Sequence, residues 1–320
     1  MKIKIKKLII YGSIITLLYP KSRIISNYKI YNDSFYNKIK SSKEIENDGF
    51  NIIAHRGFSS LVIENSWEAI NICNDYKSID GIEIDISMTK DKRIVILHTN
   101  QYGYNFNLNK PVSEYTLNEL KNKRFKVDTN YIIKNILFLS KKDKMNDIVK
   151  KRSLNLFRKW TTIITLDELL SNYNFNKQMI IDVKFQSNNN AMIDELFNQL
   201  SKIDCTNIII QSTDYDSLKT MKNINPNLKY QLVISNTNQL KHLDSEINMF
   251  AIKASLLDYE TIEKLIKNDK SVAVWTINNE HNLNKIINNI GIYWDDVAYI
   301  TDYPDYISTL LNEKGNVKTK

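Results

Sequence analysis

From Phe50 onward, short apolar runs of strand length alternate with stretches whose apolar residues recur every three or four positions. The runs fall at 51–54, 82–86, 179–183, 207–210, 230–234, 249–252, 272–277 and 297–300, and helical spacing occupies intervening segments such as 66–76, 191–200, 258–266 and 281–287. Strands that alternate with helices predict a parallel sheet, because each strand needs a crossover before the next can run in the same direction. Eight such units favour closure into an α/β TIM barrel, (β/α)8.

A ninth apolar run, 93–97, follows the second strand after only Thr89 to Lys92. A parallel neighbour needs a dozen or more connecting residues, so this run is expected to fold back as a hairpin. The hairpin would carry His98 over the C-terminal end of the barrel, where the catalytic groups of such barrels lie. Helical spacing at 113–121 and 165–171 brackets 122–160, read as a basic insertion in which Ile132, Ile133, Ile136, Leu137 and Leu139, then Ile148, Leu154 and Phe157, stand among Lys and Arg. It is open between a cationic amphipathic helix on an anionic membrane surface and an ordinary helix laid over the barrel rim.

The start of the chain differs. Lys2, Lys4, Lys6 and Lys7 precede an apolar run from Leu8 to Tyr19, followed by Pro20, Lys21 and Arg23, which is the charge order of an export signal. No small-residue cleavage site follows, so residues 1–23 read as an uncleaved membrane anchor that leaves the remainder extracytoplasmic. Cleavage would make the protein secreted, and a helix packed on the domain is the alternative. Residues 24–49 lack periodicity and read as a linker, 50–312 as the barrel and 313–320 as a tail.

Charge sharpens the membrane reading. The formal net charge of +8 is uneven: residues 1–50 hold 10 Lys/Arg against 4 Asp/Glu, residues 121–160 hold 13 against 3, and the remainder is acidic by 8. Two basic segments on an acidic body favour contact with a membrane surface over a nucleic-acid groove, and neither zinc-finger spacing nor an aromatic RNA-binding strand is present. Cys73 and Cys205 lie in no CxxC and near no His, so both read as buried small hydrophobes.

Candidate chemistry lies at strand ends. The first strand runs into His55-Arg56-Gly57 and the second holds Glu83-Ile84-Asp85. Residues two apart share a strand face, so both acids point into the barrel, where they repel unless a cation compensates. A hard divalent ion with oxygen ligands, Mg²⁺ or Ca²⁺, is the natural compensation. Asp182-Val183-Lys184 repeats the spacing and adds a third acid and an ammonium. His55 and His98, two of four histidines, stand at the same end and can serve as proton acceptor and donor. Arg56 offers a planar donor fork for phosphoryl oxygens and Lys184 a point charge.

These residues lie in segments that resemble the glycerophosphodiester phosphodiesterases: IIAHRG (52–57), EN (64–65), GIEIDISMTKD (81–91), VILH (95–98), TLNEL (116–120), TLDELL (165–170), IIDVK (180–184), IIIQS (208–212), VWTIN (274–278) and YITDYPD (299–305), matched in order and spacing. The resemblance implies a TIM barrel in which Glu83, Asp85 and Asp182 hold one divalent ion. It implies that His55 and His98 are the general acid and base, that Arg56 and Lys184 contact phosphate, and that Trp275 forms an apolar wall beside the substrate. The implied reaction is hydrolysis of a small-molecule or lipid-derived glycerophosphodiester to glycerol phosphate and an alcohol, by water or by a substrate hydroxyl.

This chain departs from the family at three places. Thr99 stands where an Asp usually follows the second His, Asp182 where Glu is common, and Ile63 where a Pro often precedes Glu-Asn. The shorter acid, found in relatives with sphingomyelinase D-type chemistry, leaves the substrate open, and phospholipase D-like cleavage of a membrane phospholipid is the alternative. A catalytically degenerate barrel that acts as a binding module is the rival that Thr99 supports. Asp302 in TDYP is read as capping or orienting the barrel end, and His242 and His281 as exposed.

Overall fold

The computed structural model describes residues 51–60, 63–98, 108–123, 163–172, 176–186 and 189–318. The expected anchor 1–23, the linker 24–49, insertion residues 124–160 and Thr99 lie outside the described residues. Among those described, no helix is long and apolar enough to cross a membrane.

Eight parallel strands close into a barrel: β1 (Asn51–His55), β2 (Gly81–Met88), β4 (Gln178–Val183), β5 (Ile208–Ser212), β6 (Lys229–Ile234), β7 (Met249–Lys253), β8 (Ser271–Trp275) and β9 (Ala298–Thr301). They follow one another round the ring, and β1 pairs with both β9 and β2 to close it. The expected hairpin is present as β3 (Ile94–Ile96), antiparallel to the end of β2 with Ile86 opposite Ile96 and Met88 opposite Ile94.

Helices α1 (Trp67–Cys73), α3 (Leu166–Asn172), α4 (Asn189–Leu200), α6 (Tyr259–Lys267) and α7 (Glu280–Ile290) occupy segments that the spacing marks as helical. The segment expected as a helix at 113–121 divides into a 3-10 turn, Val112–Glu114, and the short helix α2 (Leu117–Lys121). Two further helices are α5 (Tyr215–Ile224) and α8 (Pro304–Lys318), the second continuing into the residues expected as a tail. Their starts are set by side chains that satisfy orphan amides: Ser66 accepts from the Ala69 N–H, Asp214 from Ser217, Asp258 from Thr261 and Asn279 from Asn282.

Period-two alternation decides what fills the ring. Ile53, Ile180, Ile209, Val233, Ala251, Ala273 and Ile300 face one another as an apolar layer. One pleat nearer the C-terminal ends the same face carries His55, Asp182, Gln211 and Trp275, so the packed apolar layer is the floor of a polar mouth. Outside the ring a second small core forms from Val95, Leu97, Leu108, Val112, Tyr115, Leu120 and Ile163. Each such burial contributes roughly 1.5–3 kcal/mol, enough to hold the β3 hairpin in place. Cys73 is buried as expected, while Cys205 is only half-buried. His242 is half-buried with its ring stacked on Tyr215, 4.2 Å between centroids, and not exposed as its sequence position implied.

Candidate active site

The turn after β1 is the first support of the site. Arg56 and Gly57 both take positive φ, 58° and 74°, a region that side chains rarely adopt and that clusters at functional sites. Only glycine is accommodated at position 57, where a Cβ would lie 2.6 Å from the Ala69 carbonyl carbon. This reversal aims the Arg56 N–H at Glu83 Oε2, 2.9 Å away, and returns the guanidinium over β2.

Glu83, Asp85 and Asp182 are buried, and each offers an oxygen within 4.8 Å of the others. One oxygen of each carboxylate is tied to protein donors. Asp85 Oδ2 accepts from Asn65 Nδ2 at 2.9 Å and forms an ion pair with Arg56, whose Nε lies 2.9 Å away, while Asp182 Oδ2 accepts from Lys184 Nζ at 2.6 Å and Gln211 Nε2 at 2.9 Å. Lys184 Nζ also lies 3.1 Å from Asp85 Oδ1, bridging two of the acids. Asp85 Oδ1 and Asp182 Oδ1 are buried without a hydrogen-bond partner.

Asp182 Oδ1, which has no donor, and Asp85 Oδ1, faced only by the shared Lys184 ammonium, match a divalent ion, as does the charge. Glu64, Glu83, Asp85, Asp182 and Asp302 face the two fixed cations Arg56 and Lys184, so acids outnumber bases there even when His55 carries a proton. Without a cation the strain falls on Glu83, whose pKa is pushed up to about 7 by burial and by the neighbouring Asp85. Burial acts in the same sense on Asp85, but Lys184 and Arg56 outweigh it and hold that carboxyl far below its usual range.

The histidines flank the acids. His55 Nε2 is 3.9 Å from Glu83 Oε2, and its Nδ1 is hydrogen-bonded to Asp302 Oδ1 at 2.7 Å. Burial disfavours the imidazolium, yet Asp302 and Glu83 prevail and raise the His55 pKa above its ordinary 6.5. His98 arrives from the hairpin: the Leu97 N–H donates to the Asp85 carbonyl at 3.0 Å and Ser87 Oγ to the Leu97 carbonyl at 2.7 Å, which sets the next residue beside Asp85. There burial lowers its pKa to about 4, with Arg56 and Lys184 adding to the effect against Asp85. One imidazole is thus biased toward the protonated form and the other toward the neutral form.

Every residue expected at the site is therefore brought to one end of the barrel. Trp275, half-buried at the end of β8, donates its indole N–H to the Ala251 carbonyl at 2.9 Å. Arg56 is also paired with Glu64 Oε1 at 3.1 Å. Asp302, expected to cap or orient the barrel end, also holds the His55 ring; Asn278 Nδ2, 2.5 Å from its Oδ2, and Ser59 Oγ, 3.1 Å from its Oδ1, fix it in turn. Asn65 and Gln211 were also missed as carboxylate anchors, although both stand inside quoted motifs, EN and IIIQS.

Fold and site together define a class, the TIM-barrel phosphoric diester hydrolases. The chain belongs to the glycerophosphoryl diester phosphodiesterase family, whose model matches residues 55–306. A Bacillus subtilis (strain 168) protein, YhdW, which bears a provisional glycerophosphodiester phosphodiesterase name, is 26% identical over 263 residues, 80% of this chain and 96% of its own length. A second protein of the same strain, named glycerophosphodiester phosphodiesterase, is 23% identical over 267 residues, 79% of this chain and 83% of its own. The fold is shared with an Oleispira antarctica phosphodiesterase solved with the product sn-glycerol-3-phosphate, at a TM-score of 0.61 and 21% identity over 82% of this chain and 96% of that one.

Proposed function

We propose that this enzyme hydrolyses glycerophosphodiesters to glycerol phosphate and an alcohol through its two histidines, with one divalent cation, Mg²⁺ or Ca²⁺, held by Glu83, Asp85 and Asp182. The observation that carries this reading is the cluster of three buried carboxylates, two with an oxygen that accepts no hydrogen bond, flanked by one imidazole biased toward its acid form and one toward its base form. When bound, the cation supplies positive charge against the phosphoryl oxygens as negative charge accumulates on them.

The protein's own groups carry the proton traffic. Neutral His98 accepts a proton from the attacking water or substrate hydroxyl as its oxygen bonds to phosphorus. His55, kept protonated by Asp302, delivers a proton to the alcohol oxygen as the P–O bond breaks. Arg56 and Lys184 present their remaining N–H groups to the phosphoryl oxygens, and the Trp275 ring walls the substrate side. Release of glycerol phosphate from glycerophosphocholine tests the proposal. Chelation should abolish turnover and added Mg²⁺ or Ca²⁺ restore it, and His55→Ala and Glu83→Ala should each abolish it, because the groups act as a unit. Full turnover by both variants would refute it.

We also place the enzyme on the outer face of a membrane. The Lys2–Lys7 cluster ahead of the apolar run from Leu8 to Tyr19 supports this location. Recovery in the cytosolic fraction after cell breakage would count against it.

A further inference from the structure

Asp182 is one methylene shorter than a glutamate, so its reach toward Glu83 and Asp85 depends on how its carboxylate is turned. Its direct neighbour in register is Gln211 on β5, only 4% exposed, whose Nε2 donates to Asp182 Oδ2 at 2.9 Å. At the other end of the same amide, Gln211 Oε1 is buried and accepts no hydrogen bond, as is true of Oε1 of its register neighbour Gln231 on β6. An orphaned carbonyl inside a barrel is destabilising, and a leucine of similar volume would avoid it. Stability therefore does not account for the amide, while the bond to Asp182 does.

Asn65 plays the corresponding part for Asp85. Its Nδ2 donates to Asp85 Oδ2 at 2.9 Å and its Oδ1 accepts from the Asp85 N–H at 3.0 Å, so Oδ2 is held while Oδ1 lies 3.1 Å from Lys184 Nζ. Lys184 also touches Asp182 Oδ2, but the same ammonium reaches Asp85 Oδ1, so it is shared between the two acids. Gln211 is the neutral contact that belongs to Asp182 alone.

We propose that Gln211 is a positioning residue for the cation, clamping Asp182 Oδ2 so that the unpartnered Oδ1 turns toward Glu83 and Asp85. This inference rests on the metal-dependent reading above. Donors behind a metal ligand fix its orientation, and their loss typically weakens ion binding by roughly 10–100-fold.

The test is isothermal titration of the metal-stripped full chain with MgCl₂ and, separately, CaCl₂, paired with the rise in Tm that each ion produces. Gln211→Leu should weaken binding roughly tenfold or more and raise by the same factor the ion concentration for half-maximal activity. Asp182→Glu introduced into Gln211→Leu should recover most of the loss, because the longer acid reaches the ion without the clamp. Should Gln211→Leu not fold, Gln211→Met, unbranched and of equal length, gives the same comparison. A folded variant with parental affinity, or one that loses Tm without ion yet keeps the full ion-induced rise, overturns the inference alone. A parent chain that takes up neither ion overturns the metal-dependent reading and this inference with it.

Discussion

His55 Nδ1 and Asp302 Oδ1 stand 2.7 Å apart although 247 residues separate them in the chain. The bond exists because β9 lies beside β1 where the ring closes. It fixes which imidazole nitrogen faces inward, leaving Nε2 toward Glu83, and it favours the imidazolium, the form in which His55 would donate a proton under the proposed mechanism.

Asp302→Asn should therefore lower kcat by roughly 10²–10⁴-fold while substrate still binds. The pH profile should move in a defined direction. Asp302 raises the His55 pKa, so neutralising it lowers that pKa, and the limb on which kcat/KM falls with rising pH should shift to lower pH. A variant with a parental profile would show that Asp302 is structural only.

Ion uptake should depend on pH through Glu83. Burial and Asp85 push its pKa up to about 7 in the metal-free protein, so below that pH an incoming cation must displace a proton. Apparent affinity for Mg²⁺ or Ca²⁺ should rise with pH as far as about 7 and level off above it. Titration calorimetry in buffers of different ionisation enthalpy counts the protons released; affinity independent of pH across this range would contradict the assignment.

His98 makes an acid-side contribution to stability. Its folded pKa of about 4 lies below the ordinary 6.5, so between those values the unfolded chain binds the extra proton and stability falls as pH falls. For chelated protein, the urea midpoint of His98→Gln should decline less steeply than that of the parent between these limits. Parallel curves would show that His98 titrates normally.

Gly57→Ala tests the turn that sets up the site. The added Cβ would meet the Ala69 backbone at 2.6–2.7 Å on a residue with φ of 74°, with no flexible side-chain end to yield. A loss of about 2–4 kcal/mol is expected, seen as a fall in Tm of roughly 5–10 °C in thermal unfolding. An unchanged Tm would mean that the turn relaxes freely.

Much of the site could be read without coordinates because strand geometry is local. Alternation along GIEID and IIDVK is enough to send Glu83, Asp85, Asp182 and Lys184 to one face, and the short link from Thr89 to Lys92 is enough to require the hairpin that delivers His98. Helix limits were legible to within a few residues where apolar spacing and a capping side chain agree, as at Ser66 and Asp258.

Other features depended on closure of the ring. Asp302 could be seen as a barrel-end residue but not as the partner of His55, since nothing in TDYP states which strand β9 will meet. Gln211 could be seen as strand, yet its bond to Asp182 follows from the register between β4 and β5. The opposed histidine pKa values, and the hold of Arg56 and Lys184 on carboxylates, arise from distances and burial among five elements. Residue type and spacing determined which chemical groups this protein owns and which strand face carries them; only tertiary structure decided which groups touch, because hydrogen bonding and electrostatic pairing act over a few ångströms in space and are blind to separation along the chain.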